Sequence, residues 1–304
     1  MARLKEAEVL RAKAITQPIV LLEGVQDGQQ LKQAQALNCE LVLYTEEQIR
    51  LLQQVPLDTS LPVWIKIETG MHRLGILPTE LSAIAATLRA LDWVAPEIKL
   101  MSHYSSADDS DHSVTQQQLD TFLSFTDAIA GEKSIANSAA VLRHQASHLD
   151  WIRPGIMLYG VSPFMDKTGI ELGLEPVMDL VSTVIAVNVV KPGERVGYSG
   201  TWTAARESQI AVISAGYGDG YPRHVAEGTP VMIHGRRYPL VGRVSMDMIC
   251  VDVTDAQDSI HIGDPVLLWG RDLPVEEIAQ AANTIAYELI CRVAARVLHQ
   301  EIDD

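Results

Sequence analysis

Val63-Trp64-Ile65-Lys66-Ile67-Glu68-Thr69-Gly70-Met71-His72-Arg73-Leu74-Gly75 decides how this chain is read. A mostly apolar run empties into polar and charged residues closed by glycine, the form of a buried parallel strand followed by a functional loop. The same alternation recurs on both sides. Before it, residues 19–22 lead into a polar stretch bearing Leu31, Ala34 and Leu37. Residues 41–44 then meet Thr45-Glu46-Glu47-Gln48, a capping-box start for a helix through Ile49 and Leu52. After it, Leu81, Ile84, Leu88 and Leu91 recur at helical spacing. Residues 99–102 precede a helix bearing Leu119, Phe122, Leu123 and Ile129, and 134–137 and 156–159 are the last strand candidates.

Strands alternating with helices, the strands nearly continuously apolar, imply a parallel sheet covered by helices. A closed (β/α)8 barrel needs eight strands in ~250 residues. The segments above supply six and open on a helix with no strand before it. The fold class is therefore α/β: a (β/α)8 TIM-type barrel, incomplete here with its first strands missing, over residues 1–163. From 164 to 304 the pattern becomes a C-terminal mostly-β domain. Val- and Ile-rich runs at 181–190, 209–214, 230–233, 248–253 and 265–269 are punctuated by Lys191-Pro192-Gly193, His234-Gly235 and Ile262-Gly263-Asp264. A helix over 286–298 closes it.

The net charge of −15 argues against nucleic acid, because phosphate binding needs a basic surface. Cys39, Cys250 and Cys291 form no CxxC pair, which points to reduced thiols in the cytoplasm rather than a disulfide framework. The N-terminus has no signal-peptide apolar region, and the longest apolar runs are too short for a membrane span.

Several polar segments sit where a parallel barrel keeps its chemistry: Glu68–Gly75 by number 68–75, Met101-Ser102-His103-Tyr104, Ile135-Ala136-Asn137-Ser138 and Trp151-Ile152-Arg153-Pro154-Gly155-Ile156. Each also has a structural explanation, since a strand-end arginine serves as an ion-pair partner as readily as a ligand clamp, and Asn-Ser makes turns. Val196-Gly197-Tyr198-Ser199-Gly200 and Gly216-Tyr217-Gly218-Asp219-Gly220-Tyr221-Pro222-Arg223 fit hairpin tips as well as a site. The second lacks the Lys-Ser/Thr of a P-loop, which disfavours nucleotide binding. His103, Asp108, Asp109, Asp111 and His112 match neither a calcium loop nor a zinc helix motif, so no metal is expected.

Taken in order, 68–75, Arg153-Pro154-Gly155-Ile156, 216–223 and Val241-Gly242-Arg243-Val244-Ser245-Met246-Asp247 resemble the most specific stretches of the alanine racemases, from Ala2 to the C-terminus. The resemblance implies pyridoxal 5′-phosphate as cofactor, alanine as substrate and a head-to-tail homodimer with shared active sites. By position, Arg153 resembles the arginine on the cofactor's pyridine nitrogen. Tyr198 resembles the catalytic base lent by the partner, with His103 beside it. Ser138, the backbone of Gly155 and Ile156, and Tyr287 resemble the phosphate cradle, next to Asn137. Arg73, Met246 and Tyr217 resemble the substrate contacts, and Lys66 matches a position carbamylated in some members. The implied activity supplies D-alanine for peptidoglycan. A serine or broad-specificity racemase on the same scaffold is one alternative, and a non-catalytic fragment another. A decarboxylase of the same barrel type is disfavoured by Tyr198 and 216–223.

One departure stands out. The family's cofactor lysine lies in a motif like Val-Val-Lys-Ala-Asn-Ala-Tyr-Gly-His-Gly. No such stretch exists here, and Lys5, Lys13, Lys32, Lys66 and Lys99 all lack that context. Met1-Ala2 stands where relatives read a valine–alanine pair, so the expectation is a start codon assigned too far downstream, with true truncation as the alternative. The polypeptide as written is expected to be inactive and poorly soluble, having lost one proton-transfer base and exposed two sheet edges.

Overall fold

The computed structural model describes residues 1–302 and divides into two compact units, Met1–Pro154 and a second that begins at Gly155. In the first unit, α1 (Leu4–Ala12) precedes β1 (Ile19–Leu21), α2 (Gly28–Ala36), β2 (Cys39–Leu43), α3 (Glu46–Gln54) and β3 (Val63–Lys66). Next come α4 (Leu81–Arg89), β4 (Lys99–Met101), α5 (Ser113–Thr126), β5 (Lys133–Asn137), α6 (Ser138–Arg143) and β6 (Trp151–Arg153). The strands form one open six-stranded sheet in chain order, and every pairing is parallel. Six successive strands of a barrel of this class are thus present.

The helices start where their sequences dictate. Asp27 caps α2 by accepting from the Gln30 N–H at 2.8 Å, and Thr45 caps α3 from the Gln48 N–H at 3.3 Å. Glu46 and Glu47 place negative charge on the first turn of α3, where the helix dipole favours it. Leu31, Leu52, Leu88 and Phe122, one from each of α2 to α5, are almost fully buried, as are Leu41, Ile65, Leu100 and Ile135 of the sheet. At the β1 edge, the Met1 ammonium donates to Val20 O at 2.8 Å, and the Leu22 and Glu23 N–H groups donate to Met1 O and Ala2 O.

In the second unit, β7 (Leu180–Val190), β8 (Arg195–Val196), β9 (Trp202–Thr203), β10 (Ser208–Ile213), β11 (Pro230–Ile233), β12 (Arg236–Val241), β13 (Ile249–Asp252) and β14 (Pro265–Trp269) are followed by α7 (Val275–Ala281) and α8 (Ala286–Arg292). Six of these strands close into an antiparallel barrel in the order β10-β13-β12-β11-β14-β7. β7 pairs along its length with both β10 and β14, and that double use closes the cylinder. Its interior is aliphatic, with Ala211, Val231, Leu240, Val251 and Val266 fully buried or nearly so.

Two readings of the sequence are corrected, and two elements that it did not announce are present. Residues Ile156–Tyr159 form a 3-10 turn, not a strand; the sixth strand is Trp151–Arg153. Pro154 has no N–H for a ladder, and Leu158 and Tyr159 are exposed in succession, which breaks the alternation a strand requires. The mostly-β domain is a closed barrel, and its strand β12 went unread because two arginines and a proline obscure it. Yet Arg237 and Pro239 point outward while Tyr238 and Leu240 are buried, the alternation of a half-exposed strand. The turn at His234-Gly235 does join β11 to β12, both residues having positive φ, as a two-residue hairpin demands. The helix expected over 286–298 ends at Arg292, where Val293 turns extended, and α7 was not foreseen. Among the described residues, no helix is long and apolar enough to cross a membrane.

Candidate active site

Lys66, Asn137 and Arg153 are the last residues of β3, β5 and β6, and His103 lies two residues beyond β4. A parallel sheet therefore delivers all four to one edge, the carboxyl ends of its strands. The loop after β3 is pinned into a return: the Glu68 N–H donates to Ile76 O and the Ile76 N–H to Lys66 O, each at 2.9 Å. Burial opposes the Glu68 charge. The N–H groups of His72, Gly70 and Met71 outweigh it and hold the carboxyl below its usual range. Arg73 projects from this fixed loop. Asn137 caps α6 by accepting from the Ala140 N–H at 3.0 Å, which leaves buried Ser138 as the first residue of that helix.

Arg153 is held by neutral acceptors. Its Nη1 donates to Ser134 Oγ at 2.5 Å and its Nη2 to Ser102 O at 2.6 Å, while Nη2 also lies 3.3 Å from His103 Nδ1. A guanidinium can only donate, so Nδ1 accepts and the imidazole proton belongs on Nε2. Burial, followed by the charges of Arg153, Lys66 and Arg73, pushes His103 down to about 4, which keeps it neutral at ordinary pH. Burial, then Arg73 and Arg153, push Lys66 down to about 8 against an opposing pull from Glu68. Burial lowers Arg153 to about 10, so it stays charged at neutral pH. No carboxylate among the described residues forms an ion pair with Lys66, Arg73 or Arg153. Three cations around a neutral histidine, against the one opposing charge of Glu68 on Lys66, make a site for an anion.

Beneath this layer lies a second one. Trp64 and Trp151 sit two residues before Lys66 and Arg153, hence on the same faces of β3 and β6. Their rings meet edge-on at 6.4 Å, and Lys99 Nζ lies 5.2 and 5.4 Å from the two ring centres. Trp64 Nε1 donates to Glu40 at 2.6 Å and Trp151 Nε1 to Glu132 at 2.8 Å, and both glutamates pair with Lys99 at 3.4 Å. This floor sets one ammonium between two carboxylates, whereas the layer above it is rich in cations.

The remaining candidates lie in the second unit. Gly155 and Ile156 open the 3-10 turn, and Tyr287 is in the first turn of α8. Tyr198 begins a short turn in which Gly197, Ser199 and Gly200 all have positive φ, and it is 66% exposed. Tyr217 and Met246 are exposed on adjacent loops, the Tyr217 N–H donating to Ser245 O at 3.1 Å. Sequence reading missed Ser134 and Gln118. Gln118 of α5 is buried, donates to His103 O at 3.1 Å and accepts from the Ser105 N–H at 2.9 Å. Nothing in a Gln116-Gln117-Gln118 run on a helix marks which glutamine turns inward. His112 packs edge-on against His144 at 4.8 Å, and among the described residues no group of three or more His, Cys, Asp or Glu could hold a metal.

Comparisons with known proteins agree with this geometry. The family model "Alanine racemase, N-terminal domain" matches residues 1–163, and "Alanine racemase, C-terminal domain" matches 177–300. The alanine racemase of Vibrio cholerae serotype O1 is 48% identical over 298 residues, covering 98% of this chain and 82% of that relative. The crystal structure of the biosynthetic alanine racemase from Pseudomonas aeruginosa superposes with a TM-score of 0.93 at 46% identity, over 97% of this chain and 82% of that one. That of the Bacillus anthracis enzyme with bound L-Ala-P does so at 0.80 and 29% identity, over 96% and 78%.

Proposed function

Because the chain belongs to the alanine racemase family, we propose that it interconverts L-alanine and D-alanine with pyridoxal 5′-phosphate as cofactor, supplying D-alanine for peptidoglycan. The observation that supports this best is the cluster of Lys66, Arg73 and Arg153, three cations whose charges depress His103 and outweigh the opposing charge of Glu68 at Lys66. It fits a cofactor bearing a phenolic oxygen and a phosphate, and a substrate bearing a carboxylate.

Arg153 takes the pyridine nitrogen. Its guanidinium keeps its proton at neutral pH, so the ring nitrogen accepts a hydrogen bond instead of being protonated. The phosphate falls to the hydroxyls of Ser138 and Tyr287 and the N–H groups of Gly155 and Ile156, with Asn137 adjoining Ser138. When bound, the cofactor supplies an electron sink for loss of the substrate α-proton. Arg73 holds the substrate carboxylate.

Tyr198, Met246 and Tyr217 act from a second copy of the chain in a head-to-tail homodimer. Tyr198 moves the α-proton on one face of the substrate. A phenol with an ordinary pKa of ~10 needs help to serve as a base at neutral pH. Neutral His103 offers its Nε2–H for that purpose, and Arg153 on Nδ1 makes it a stronger donor. The opposite face requires a second base, which the resemblance assigns to the family's cofactor lysine. The free thiols of Cys39, Cys250 and Cys291 suit work in the cytoplasm.

The test is turnover of each alanine enantiomer in heavy water by the chain joined to a segment that carries the family's cofactor-lysine motif and loaded with cofactor. Both should racemise. Tyr198→Phe should lose α-proton exchange from one enantiomer and keep it for the other. A protein that binds the cofactor and racemises neither enantiomer sinks the reading.

A further inference from the structure

We propose that Arg296 is a positioning residue that fixes Tyr217 against Met246 and thereby sets the size of side chain the site admits. The inference rests on the proposed function, in which both residues contact the substrate. Its geometry lies wholly within the second unit.

The loops bearing Tyr217 and Met246 are paired through their backbones. The Tyr217 N–H donates to Ser245 O at 3.1 Å and the Gly218 N–H to Met246 O at 2.8 Å. The approach is so close that a Cβ on Gly216 would lie 2.3 Å from Ser245 O, which explains glycine there. Two hydrogen bonds between exposed loops are a weak tether, since each is worth only ~1 kcal/mol net. Arg296, four residues beyond α8, reinforces it. Its Nε donates to Asp219 Oδ1 at 2.8 Å and its Nη2 to Asp247 Oδ1 at 2.7 Å. Asp219 belongs to the first loop and Asp247 to the second, so one rigid guanidinium spans both. The other Asp219 oxygen accepts from the Gly216 N–H at 2.9 Å, and Asp219 O accepts from the Ala294 N–H at 3.0 Å. The chain on either side of the clamp is thereby fixed. A Cβ on Gly218 would lie 2.5 Å from Arg296 Nη2, so the guanidinium lies directly against the backbone next to Tyr217.

Nothing in this arrangement serves the barrel interior. Arg296 is about half exposed, as is Asp247. What the fork fixes is the spacing of two loops whose tips are Tyr217 and Met246. Loosening it widens the opening, which matters more for a substrate larger than alanine than for alanine itself.

The experiment compares Arg296→Met, Arg296→Lys and Asp247→Asn with the unaltered sequence, by amide hydrogen exchange on the chain itself and by kinetics on alanine and serine with the chain joined to a segment carrying the family's cofactor-lysine motif. Arg296→Met should speed exchange at Tyr217 and Gly218 by about tenfold while the β10 and β13 amides stay protected. It should also raise the serine-to-alanine ratio of kcat/KM by about tenfold, mainly through KM. Asp247→Asn opens only one arm and should shift both readouts less, and Arg296→Lys should fall between Met and wild type because an ammonium cannot bridge both carboxylates in the plane of a fork. Unchanged exchange at Tyr217 and Gly218 overturns the inference. So does raised exchange with an unchanged selectivity ratio, or protection lost equally across β10 and β13, which marks a plain stability role. If the unaltered sequence joined to the lysine-bearing segment racemises neither amino acid, the functional reading has failed, and exchange alone decides whether Arg296 positions the loops.

Discussion

Arg153 Nη2 lies 3.3 Å from His103 Nδ1, so a cation that cannot accept a hydrogen bond faces a ring nitrogen that must. The relationship fixes the tautomer and disfavours a second proton on the ring. Burial does the same more strongly, and Lys66 and Arg73 add to it, giving His103 a pKa of about 4. The candidate site is thus pre-set with a neutral donor on Nε2 among three cations.

That depressed pKa makes stability fall with acid. Unfolded His103 gains its proton near the ordinary value of ~6.5, while folded His103 resists until about 4. The stability is fully present above ~6.5 and is lost as pH falls through that window, by up to ~3 kcal/mol. His103→Gln should therefore show a smaller stability difference between about pH 7 and about pH 4 than wild type in urea unfolding. Parallel pH profiles for the two proteins would refute the assignment.

Lys66 should take up carbon dioxide. Its pKa of about 8 leaves part of the side chain as the neutral amine near neutrality. That amine adds to carbon dioxide to give a carbamate and release a proton, and the anion gains the two arginines that disfavour the ammonium. Protein equilibrated with carbon-13 bicarbonate should show one carbamate resonance, absent from Lys66→Arg. No such resonance in wild type at about pH 8 would dismiss the modification.

The floor under the site gives a stability prediction. Lys99→Met leaves Glu40, a mostly buried carboxylate, with the Trp64 N–H but without its cation, and removes the ammonium that lies over the Trp64 and Trp151 rings. Breaking one side of a buried pair costs about 3 kcal/mol or more. Lys99→Arg keeps the charge and stacks on indole, so it should recover most of that loss. Equal melting temperatures for Lys99→Met and wild type would show the cluster to be inert.

The parallel sheet was legible because its strands are buried on both faces and read as apolar runs, with caps such as Thr45 between them. The position of Lys66 at the end of β3 and of His103 just past β4 followed from that register, whereas that of Arg153 did not, because the strand was read at 156–159. What stayed illegible depends on partners distant in sequence. Trp151 and Ile152 read as flank because they are exposed, yet with Arg153 they form the sixth strand, and β12 hides its alternation under Arg236, Arg237 and Pro239. The closure of the second barrel rests on β7 pairing with β14, some eighty residues away, which no local pattern announces. Arg296 and Gln118 act only through loops they meet in three dimensions.

Gln118 offers the sharpest test of how the His103 loop is held. Its side chain is 1% exposed and both ends are used. Nε2 donates to His103 O at 3.1 Å, while Oε1 accepts from the Ser105 N–H at 2.9 Å and from Ser105 Oγ at 3.0 Å. Gln118→Leu fills the space but takes the partner from a part-buried N–H and a part-buried carbonyl, at about 1 kcal/mol for each. Gln118→Glu keeps the acceptor and turns the donor into an oxygen facing His103 O. An ionised carboxylate there repels that carbonyl, whereas a protonated one donates to it. Burial and the facing carbonyl raise the glutamate pKa in the folded protein and should outweigh the Ser105 N–H and hydroxyl, which favour the carboxylate. A raised folded pKa contributes stability that is complete below the unfolded value of ~4.3 and is lost as pH rises through the folded value. Gln118→Glu should therefore lie closest to wild type near about pH 4 and fall furthest below it at about pH 8, whereas the deficit of Gln118→Leu should not vary with pH. Equal deficits at both pH values for Gln118→Glu would mean that the side chain does not face His103 O as described.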